Sequence, residues 1–431
     1  MATRTIGIGL LGVGVVGAGV ARTILQKGER LLHASGGCIE LRNVLVRDLH
    51  KSRGIDLLPD LLTTNPQDVL ENPEIDIVVE VLGGPEPAKD YIFQAVANGK
   101  HVVTANKDVM AKYGPEILEA ANSNGVRVLF EATVAGGTPI IAPLQRDLLA
   151  NEVIAVNGII NGTTNYILTR MARDGIDFMD ALTEAQELGY AEPDPTNDVE
   201  GIDAAYKLAI LASIAFQTPV FDSDVYREGI SKLTSRDFVY ASELGYTIKL
   251  IGVARRDAEG MQARVHPAFI SSDVMIAKVD GVLNAIEIET DLAGRVLFHG
   301  QGAGAMPTTS AILADVIDCS RGLLDGKDSP SLIALRRNIQ IRSIMDLETK
   351  YYIRMNVVER PGVLAAITRV LGDLEISIAS VIQKEVDFTT LQAEIVLITN
   401  RAKESSIQQA INELAELEVV AEIGTMVRVE D

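Results

Sequence analysis

A glycine-rich turn near the N-terminus is the feature that most narrows the folds open to this chain. Thr5 to Leu11 is predicted to form a short buried strand, and the GxGxxG sequence GVGVVG follows it directly and opens an amphipathic helix. This context predicts a dinucleotide site, because the glycines permit a sharp turn, close approach of the pyrophosphate and tight packing of helix on strand. N–H groups at the helix start would meet the phosphates. The expected dinucleotide contacts are Gly12, Val13, Gly14, Val15, Val16 and Gly17.

The end of the second predicted strand, Ile39 to Val46, bears on which dinucleotide is bound. Arg47 and Asp48 follow it. In such a fold a cation at this edge suits the 2′-phosphate of NADP, whereas a carboxylate takes the ribose 2′-hydroxyl of NAD. The sequence therefore favours NADP through Arg47 and leaves NAD as the alternative through Asp48.

A segment from Ala185 to Lys207 crowds acidic and small residues into a loop and then opens a helix predicted over Ile202 to Phe216. Asp203 and Lys207 are four residues apart and share one face of that helix. A carboxylate one turn before a lysine can orient its ammonium, and an oriented ammonium is a suitable proton donor for carbonyl reduction. An exposed helical ion pair is the alternative explanation of the same spacing.

The surrounding pattern resembles the active-site signature of homoserine dehydrogenases. A second resemblance lies at Thr104 to Lys107, the TANK segment at the end of the predicted strand His101 to Thr104. The resemblance implies reversible NAD(P)-linked reduction of L-aspartate β-semialdehyde to L-homoserine, a step in threonine, isoleucine and methionine biosynthesis. The matching signature positions are Gly189, Tyr190, Ala191, Pro195, Asp198, Gly201, Asp203 and Lys207.

The resemblance also implies roles for individual residues. Lys207 is expected to donate the proton, with Lys107 nearby as the alternative donor, while Asp203 orients Lys207 and touches the substrate. Glu192 is expected to pair with the α-ammonium of the substrate. The helix start at Asn161 offers hydroxyls and N–H groups for the substrate carboxylate, although an ordinary helix cap explains the same residues. Further expected contacts are Thr163 and Gly189 to the substrate, and Thr104, Lys107, Gly189, Gly302 and Gly304 to the dinucleotide.

The glycine-rich bend from Glu131 to Ile141 has a carboxylate and several free carbonyls, which suits a hard cation with oxygen ligands. In the resembled family a monovalent cation, usually sodium, sits in this bend. A tight turn without an ion is the alternative. The ligands implied by the resemblance are Glu131, Val134, Gly136 and Thr138.

The C-terminal part restarts a regular pattern in the order βαββαβ, which predicts a ferredoxin-like sandwich. With its turn at Glu359 to Gly362 it resembles an ACT domain, which implies binding of an amino acid, L-threonine being the first choice. Pairing of such domains implies a homo-oligomer, a dimer or tetramer. A module that only dimerises is the alternative. The predicted divisions are 1–132 (dinucleotide-binding), 133–320 (catalytic and dimerisation), 321–349 (linker) and 350–431 (regulatory).

Composition limits the remaining functions. The 431 residues include 39 Lys and Arg against 59 Asp and Glu, a net charge of −20, which disfavours nucleic acid and anionic membranes as partners. Cys38 and Cys319 form no CxxC, so a reducing cytoplasm is expected and neither a disulfide framework nor a zinc site is suggested. Two rival functions stay open: a dehydrogenase of another aldehyde, and a non-catalytic amino-acid sensor.

Overall fold

The computed structural model describes residues 4–55, 57–326, 335, 337–387 and 391–430. The chain forms two compact units. The first comprises Met1–Ile160, Tyr206–Val225 and Leu283–Ile339, and the second Asn161–Ala205, Tyr226–Val282 and Gln340–Asp431. Over the ranges described, the helices are all too short or too polar to span a bilayer.

The first unit contains a six-stranded parallel sheet, as the alternating strand and helix pattern predicts. Its middle pairs align Leu11 with Glu80 and Glu80 with Thr104, so these strands end together at one edge. This strand order is that of a doubly wound dinucleotide-binding fold, whose ligand binds at the carboxyl ends of the strands. The strands in spatial order are Leu62–Thr63, Cys38–Leu45, Thr5–Leu11, Ile77–Glu80, His101–Thr104 and Val128–Leu129.

The first helix is shorter than predicted. A single helix is expected from Val15 to about Leu32, but the structure has helices at Val15–Gln26 and Gly28–Ser35. Lys27 between them leaves helical geometry, with φ −116° and ψ 28°, and the glycine that follows it is a poor helix former. The apolar faces of both helices bury Val20, Ile24 and Leu31 against the sheet core.

The rest of the first unit adds helices and three strands that pair antiparallel. These strands have the order Arg295–Gln301, Leu283–Thr290, Val153–Ile159. The helix predicted over Thr308 to Cys319 runs from Ala305 to Asp325, so the residues 321–325 that were assigned to a linker are helical. The rest of the predicted linker includes 327–334 and 336, which lie outside the described residues. The other helices are Gln67–Leu70, Ala88–Ala97, Lys107–Ser123, Ile141–Gln145 and, continuing from the second unit, Ile202–Phe216.

The second unit contains a larger sheet. Met261–Ser271 pairs antiparallel with Tyr246–Arg256 and parallel with Val420–Glu430. The C-terminal strands and helices follow the predicted order βαββαβ, with helices Val363–Asp373 and Glu404–Ala415 packed on Tyr351, Ile353 and Ile395. The predicted strand Thr389 to Ile398 is Gln392–Thr399, and residue 389 lies outside the described residues. The remaining elements are strands Glu348–Val358, Ile378–Asp387, Tyr226–Arg227 and Ala402–Lys403, and helices Gly162–Asp174, Phe178–Glu187, Thr196–Val199 and Ser235–Glu243.

The loop predicted from Tyr190 to Glu200 is not wholly irregular. A short helix, Thr196–Val199, forms within it. Pro195 stands at the N-cap of this helix, where its missing N–H costs nothing, so the proline starts the helix rather than preventing it. Pro193 and Pro195 together predict that the loop contains no regular structure, and that prediction is wrong for these four residues.

Candidate active site

The GxGxxG turn has the geometry that a dinucleotide phosphate needs. Gly12 has φ +101°, a conformation that L side chains rarely adopt. A Cβ on Gly17 would lie 2.2 Å from the carbonyl oxygen of Gly12, so the third glycine lets the helix return this close to the turn. Gly14 is the N-cap of the helix beginning at Val15, with open space beside its Cα. The helix start therefore presents its N–H groups without a side chain in the way.

A cavity of about 500 Å³ extends from this turn past the end of the second strand. Gly12, Val13, Gly14 and Arg47 all line it, together with Asp48. Two further cations, not predicted from the sequence, line the same cavity: Lys51 and Arg53. The Arg53 guanidinium donates to the carbonyls of Asp48 and Lys51, which folds this loop back on itself. Their only sequence signal is the run of basic residues after the strand.

A second cavity, of about 270 Å³, lies at the carboxyl ends of the strands. Lys107 and Lys207 both line it, so the first unit brings together the two lysines that were singled out from distant parts of the sequence. Val16 and Gly302, two of the predicted dinucleotide contacts, are also in its wall. Lys207 is half-buried and its ammonium donates to the Ile160 carbonyl at 2.9 Å. The cavity thus combines two amines with an otherwise largely apolar lining, a setting suited to hydride transfer with proton donation.

Lys107 is held by the start of its helix. Asn106 is the N-cap of Lys107–Ser123, and its side-chain oxygen accepts from the Val109 N–H. The Thr104 hydroxyl donates to Glu80 at 2.6 Å and accepts from the Asn106 N–H at 3.0 Å. Thr104 is fully buried, so it shapes this strand end from within.

The second glycine-rich loop borders the same cavity through Gly302 and Ala303. Gly304, with φ +125°, is the N-cap of the helix Ala305–Asp325. A Cβ on Gly302 would lie 1.5 Å from the Asn284 side-chain oxygen, so only glycine allows the loop to cover this buried amide. This loop therefore borders the cavity at the start of a helix, and its contact with a dinucleotide stays a prediction.

Within the second unit, Asp203 is buried in a polar cluster at the start of the helix Ile202–Phe216. The Asn161 amide donates to Asp203 at 2.8 Å and to Asp198 at 2.6 Å. The Asn161 oxygen in turn accepts from the Thr164 N–H, so Asn161 caps the helix Gly162–Asp174. Asn161 was predicted only as part of a helix start. In the structure its amide group also donates to the carboxylates of both Asp198 and Asp203.

Of the other expected substrate contacts, Gly189 and Glu192 lie in the loop that follows the helix Phe178–Glu187, and Thr163 lies in the helix Gly162–Asp174. Gly189 has φ +75°, as the predicted left-handed helix end requires. The Thr163 hydroxyl donates to the Tyr190 carbonyl at 2.7 Å, so in this state it holds the loop. The Glu192 side chain is exposed and available to a cationic group in solution.

In the bend from Glu131 to Thr138, the Glu131 side chain acts as a helix cap. Its carboxylate accepts from the backbone N–H groups of Ile140, Ile141 and Ala142 at 2.6, 3.0 and 2.7 Å, and so caps the short helix there. Among the described residues there is no cluster of three or more His, Cys, Asp or Glu side chains that could hold a metal ion. The Thr138 hydroxyl is buried and has no hydrogen-bond partner among the residues that the structure describes. A cation in this bend would therefore be coordinated by main-chain oxygens, and the Thr138 hydroxyl is a further oxygen in the same bend.

Comparison with known proteins decides the family. The model of the homoserine dehydrogenase NAD-binding domain matches residues 12–131, that of homoserine dehydrogenase residues 139–317, and that of the ACT domain residues 351–419. The homoserine dehydrogenase of Synechocystis sp. is 44% identical to this chain over 436 residues, with 99% of each covered. The chain belongs to the homoserine dehydrogenase family.

Solved structures of the family agree. A homoserine dehydrogenase from Thiobacillus denitrificans matches with a TM-score of 0.94 and 46% identity, covering 99% of both chains. A hyperthermophilic archaeal homoserine dehydrogenase in complex with NADPH matches with a TM-score of 0.62 and 29% identity, covering 74% of this chain and 98% of that one. The resemblance predicted from the active-site signature is thereby confirmed.

The chain is an NAD(P)-dependent oxidoreductase that interconverts L-aspartate 4-semialdehyde and L-homoserine. Its ACT domain is of the kind that binds an amino acid. Both rival functions, a different aldehyde and a non-catalytic sensor, are excluded by full-length similarity to homoserine dehydrogenases.

Proposed function

We propose that Lys207 donates the proton in the reduction of the aldehyde and that Lys107 stabilises the growing alkoxide beside it. The observation that carries this proposal is their presence in the wall of one cavity at the strand ends. When bound, the nicotinamide supplies or accepts the hydride. The Lys207 ammonium donates to the Ile160 carbonyl at 2.9 Å, which helps to orient it. Two ammonium groups near a developing oxyanion lower its energy more than either does alone.

The remaining substrate roles also stay proposals. Asp203 is assigned to the substrate and to orienting Lys207, one helical turn further on. Glu192 is proposed to pair with the α-ammonium of the substrate. The exposure of its side chain supports this role. For Thr163 a positional role is favoured, because its hydroxyl holds Tyr190. Gly189 is proposed to contact both the substrate and the dinucleotide through its backbone atoms.

NADP is the proposed preferred dinucleotide. Arg47, Lys51 and Arg53 line the cavity beside the glycine-rich turn, and three cations suit a 2′-phosphate. Asp48, which would favour NAD, already accepts from the His50 N–H at 2.8 Å. The NADPH bound to the archaeal relative supports the same choice.

Arg47→Ala is therefore expected to raise the KM for NADPH by about 10-fold or more, since a charged hydrogen bond contributes about 1.5–3 kcal/mol. The KM for NADH should change little. Initial rates of homoserine oxidation and of semialdehyde reduction, measured with each nucleotide, check this. Arg30→Ala, at an exposed arginine of the helix Gly28–Ser35, is the matched control. Equal changes of KM for both nucleotides would contradict the NADP preference.

A monovalent cation, sodium being the first choice from the resembled family, is proposed for the bend at Glu131, Val134, Gly136 and Thr138. Main-chain oxygens are the proposed ligands, since the Glu131 carboxylate serves three N–H donors. The Thr138 hydroxyl has no hydrogen-bond partner among the described residues, which supports a cation that takes oxygen ligands in this bend. The cation would brace the bend and take no part in the chemistry.

L-Threonine is the proposed effector, bound at the turn before the helix Val363–Asp373 in an assembly of at least two chains. The proposed boundaries are those of the sequence, 1–132, 133–320, 321–349 and 350–431, with the helix Ala305–Asp325 and the strand Glu348–Val358 extending into the two ends of the linker. A cytoplasmic location is also proposed, and the unpaired thiols of Cys38 and Cys319 are compatible with it.

Gly362→Ala is expected to raise the threonine concentration for half-inhibition at least several-fold. Gly362 has φ +94°, so a side chain there strains the turn by about 1 kcal/mol and displaces it. Threonine titrations of the full chain measure this, with isoleucine and methionine in parallel. Gly372→Ala, on the same helix with open space around it, is the control and should retain the native inhibition curve. Identical curves for both variants, or no inhibition of the native enzyme, would count against the proposed effector site.

A further inference from the structure

Glu80 is a buried carboxyl group that the proposed chemistry does not use. It ends the strand Ile77–Glu80, in which every residue is fully buried. Burial raises the pKa of its carboxyl, opposed by hydrogen bonds from Thr104, Leu82 and Asn106. A carboxyl group in this position is costly compared with another valine. Core packing alone therefore does not account for it.

The hydrogen bonds of Glu80 join two chain segments. One oxygen accepts from the Leu82 N–H at 2.8 Å and, at 3.4 Å, from the Asn106 amide. The other accepts from the Thr104 hydroxyl at 2.6 Å. The Asn106 amide also donates to the Gly84 carbonyl at 2.7 Å. The loop after one strand is thus fastened to the loop after the next.

These two segments form one wall of the cavity that contains both lysines. Val81 and Gly83 from the first segment line it, as do Ala105, Asn106 and Lys107 from the second. Glu80 itself lies behind this wall and does not line the cavity. It can therefore act on the reaction only by holding the groups that do.

We propose that Glu80 is a positioning residue, which fixes Lys107 and the adjoining cavity wall through Thr104 and Asn106. This inference rests on the proposed role of Lys107. A misplacement of about 1 Å at a reacting group can cost about 10²-fold in rate, so a rigid support behind Lys107 has a kinetic effect out of proportion to its contacts. A conservative Glu80→Gln change keeps one acceptor oxygen for the Leu82 N–H and should retain much of the support.

A double-mutant cycle tests the proposal. Glu80→Ala is expected to lower kcat at saturating nucleotide by about 10-fold or more, and Glu80→Gln to recover most of that loss. In a Lys107→Ala background the Glu80→Ala change should cost less than about twofold, because residues that act through one another are not additive. Thermal unfolding and active-site titration of each variant give the fraction folded, so that kcat refers to folded enzyme.

Thr104→Val, which removes only the hydroxyl bonded to Glu80, serves in the same cycle if Glu80→Ala does not fold. Equal losses in the native and Lys107→Ala backgrounds overturn the inference, as does native kcat in both Glu80→Ala and Thr104→Val. Normal turnover of Lys107→Ala alone overturns the proposed role of Lys107, and the inference with it. The single and double variants thus separate the two failures.

Discussion

Lys207→Ala is expected to lower kcat by about 10²-fold or more, the usual scale for the loss of a general acid. Lys207 lines the cavity at the carboxyl ends of the parallel strands and its ammonium donates to the Ile160 carbonyl. Removing the amine leaves the developing alkoxide without its proton donor. Steady-state rates in both directions, with nucleotide affinity from fluorescence titration, provide the measurement.

Nucleotide affinity should change little, since Lys207 is proposed to act at the reacting end of the site and the glycine-rich turn is intact. Lys403→Ala, at an exposed lysine on the strand Ala402–Lys403, is the control and should keep native kinetics. Near-normal turnover of Lys207→Ala would remove Lys207 from the chemistry. A large fall in nucleotide affinity with unchanged kcat would instead make it a binding residue.

Asp237→Ala is expected to lower the free energy of unfolding by about 3–5 kcal/mol, because it breaks a buried ion pair and strands its partner. Asp237 is fully buried, and its carboxylate accepts from Arg354 at 2.8 Å and from the Tyr352 hydroxyl at 3.0 Å. It also accepts from Thr234 and Thr425. In the variant the Arg354 guanidinium stays buried, but less of its positive charge is balanced by neighbouring carboxylates. Urea unfolding followed by circular dichroism measures the change.

The exposed pair Arg369 and Asp373 offers the matched control. Their side chains are 83% and 74% exposed and 3.9 Å apart, so Asp373→Ala should cost less than about 1 kcal/mol. A loss at Asp237 no larger than that at Asp373 would mean that the buried network contributes little to stability.

The elements that could be predicted from sequence are those in which local signals agree with tertiary packing. The strand His101–Thr104 and the helix Ile202–Phe216 have the predicted bounds, because an apolar run or an apolar period has a clear start and a clear end at each. The order βαββαβ of the C-terminal part was predictable for the same reason. The break at Lys27 was missed because the apolar pattern continues across it.

The parts of the site that could not be predicted depend on long-range contacts. The joint cavity of Lys107 and Lys207 was expected only through a family resemblance, since the 99 intervening positions carry no local signal of proximity. The helix-capping role of Glu131 needs three N–H donors from a turn whose course is set by packing. The sequence predicts Glu80 only as one position of an apolar strand. The pairing of that position with Thr104 on the next strand is what shows that the carboxyl group accepts a hydrogen bond from the Thr104 hydroxyl.

The most direct test of the proposed chemistry is a crystal structure of the chain with NADP and homoserine bound. The account predicts the nicotinamide ring in the cavity lined by Lys107 and Lys207, with the homoserine hydroxyl within hydrogen-bond distance of the Lys207 Nζ. A nicotinamide ring bound outside that cavity, or a homoserine hydroxyl bonded to other groups with Lys207 still turned to the Ile160 carbonyl, would contradict it.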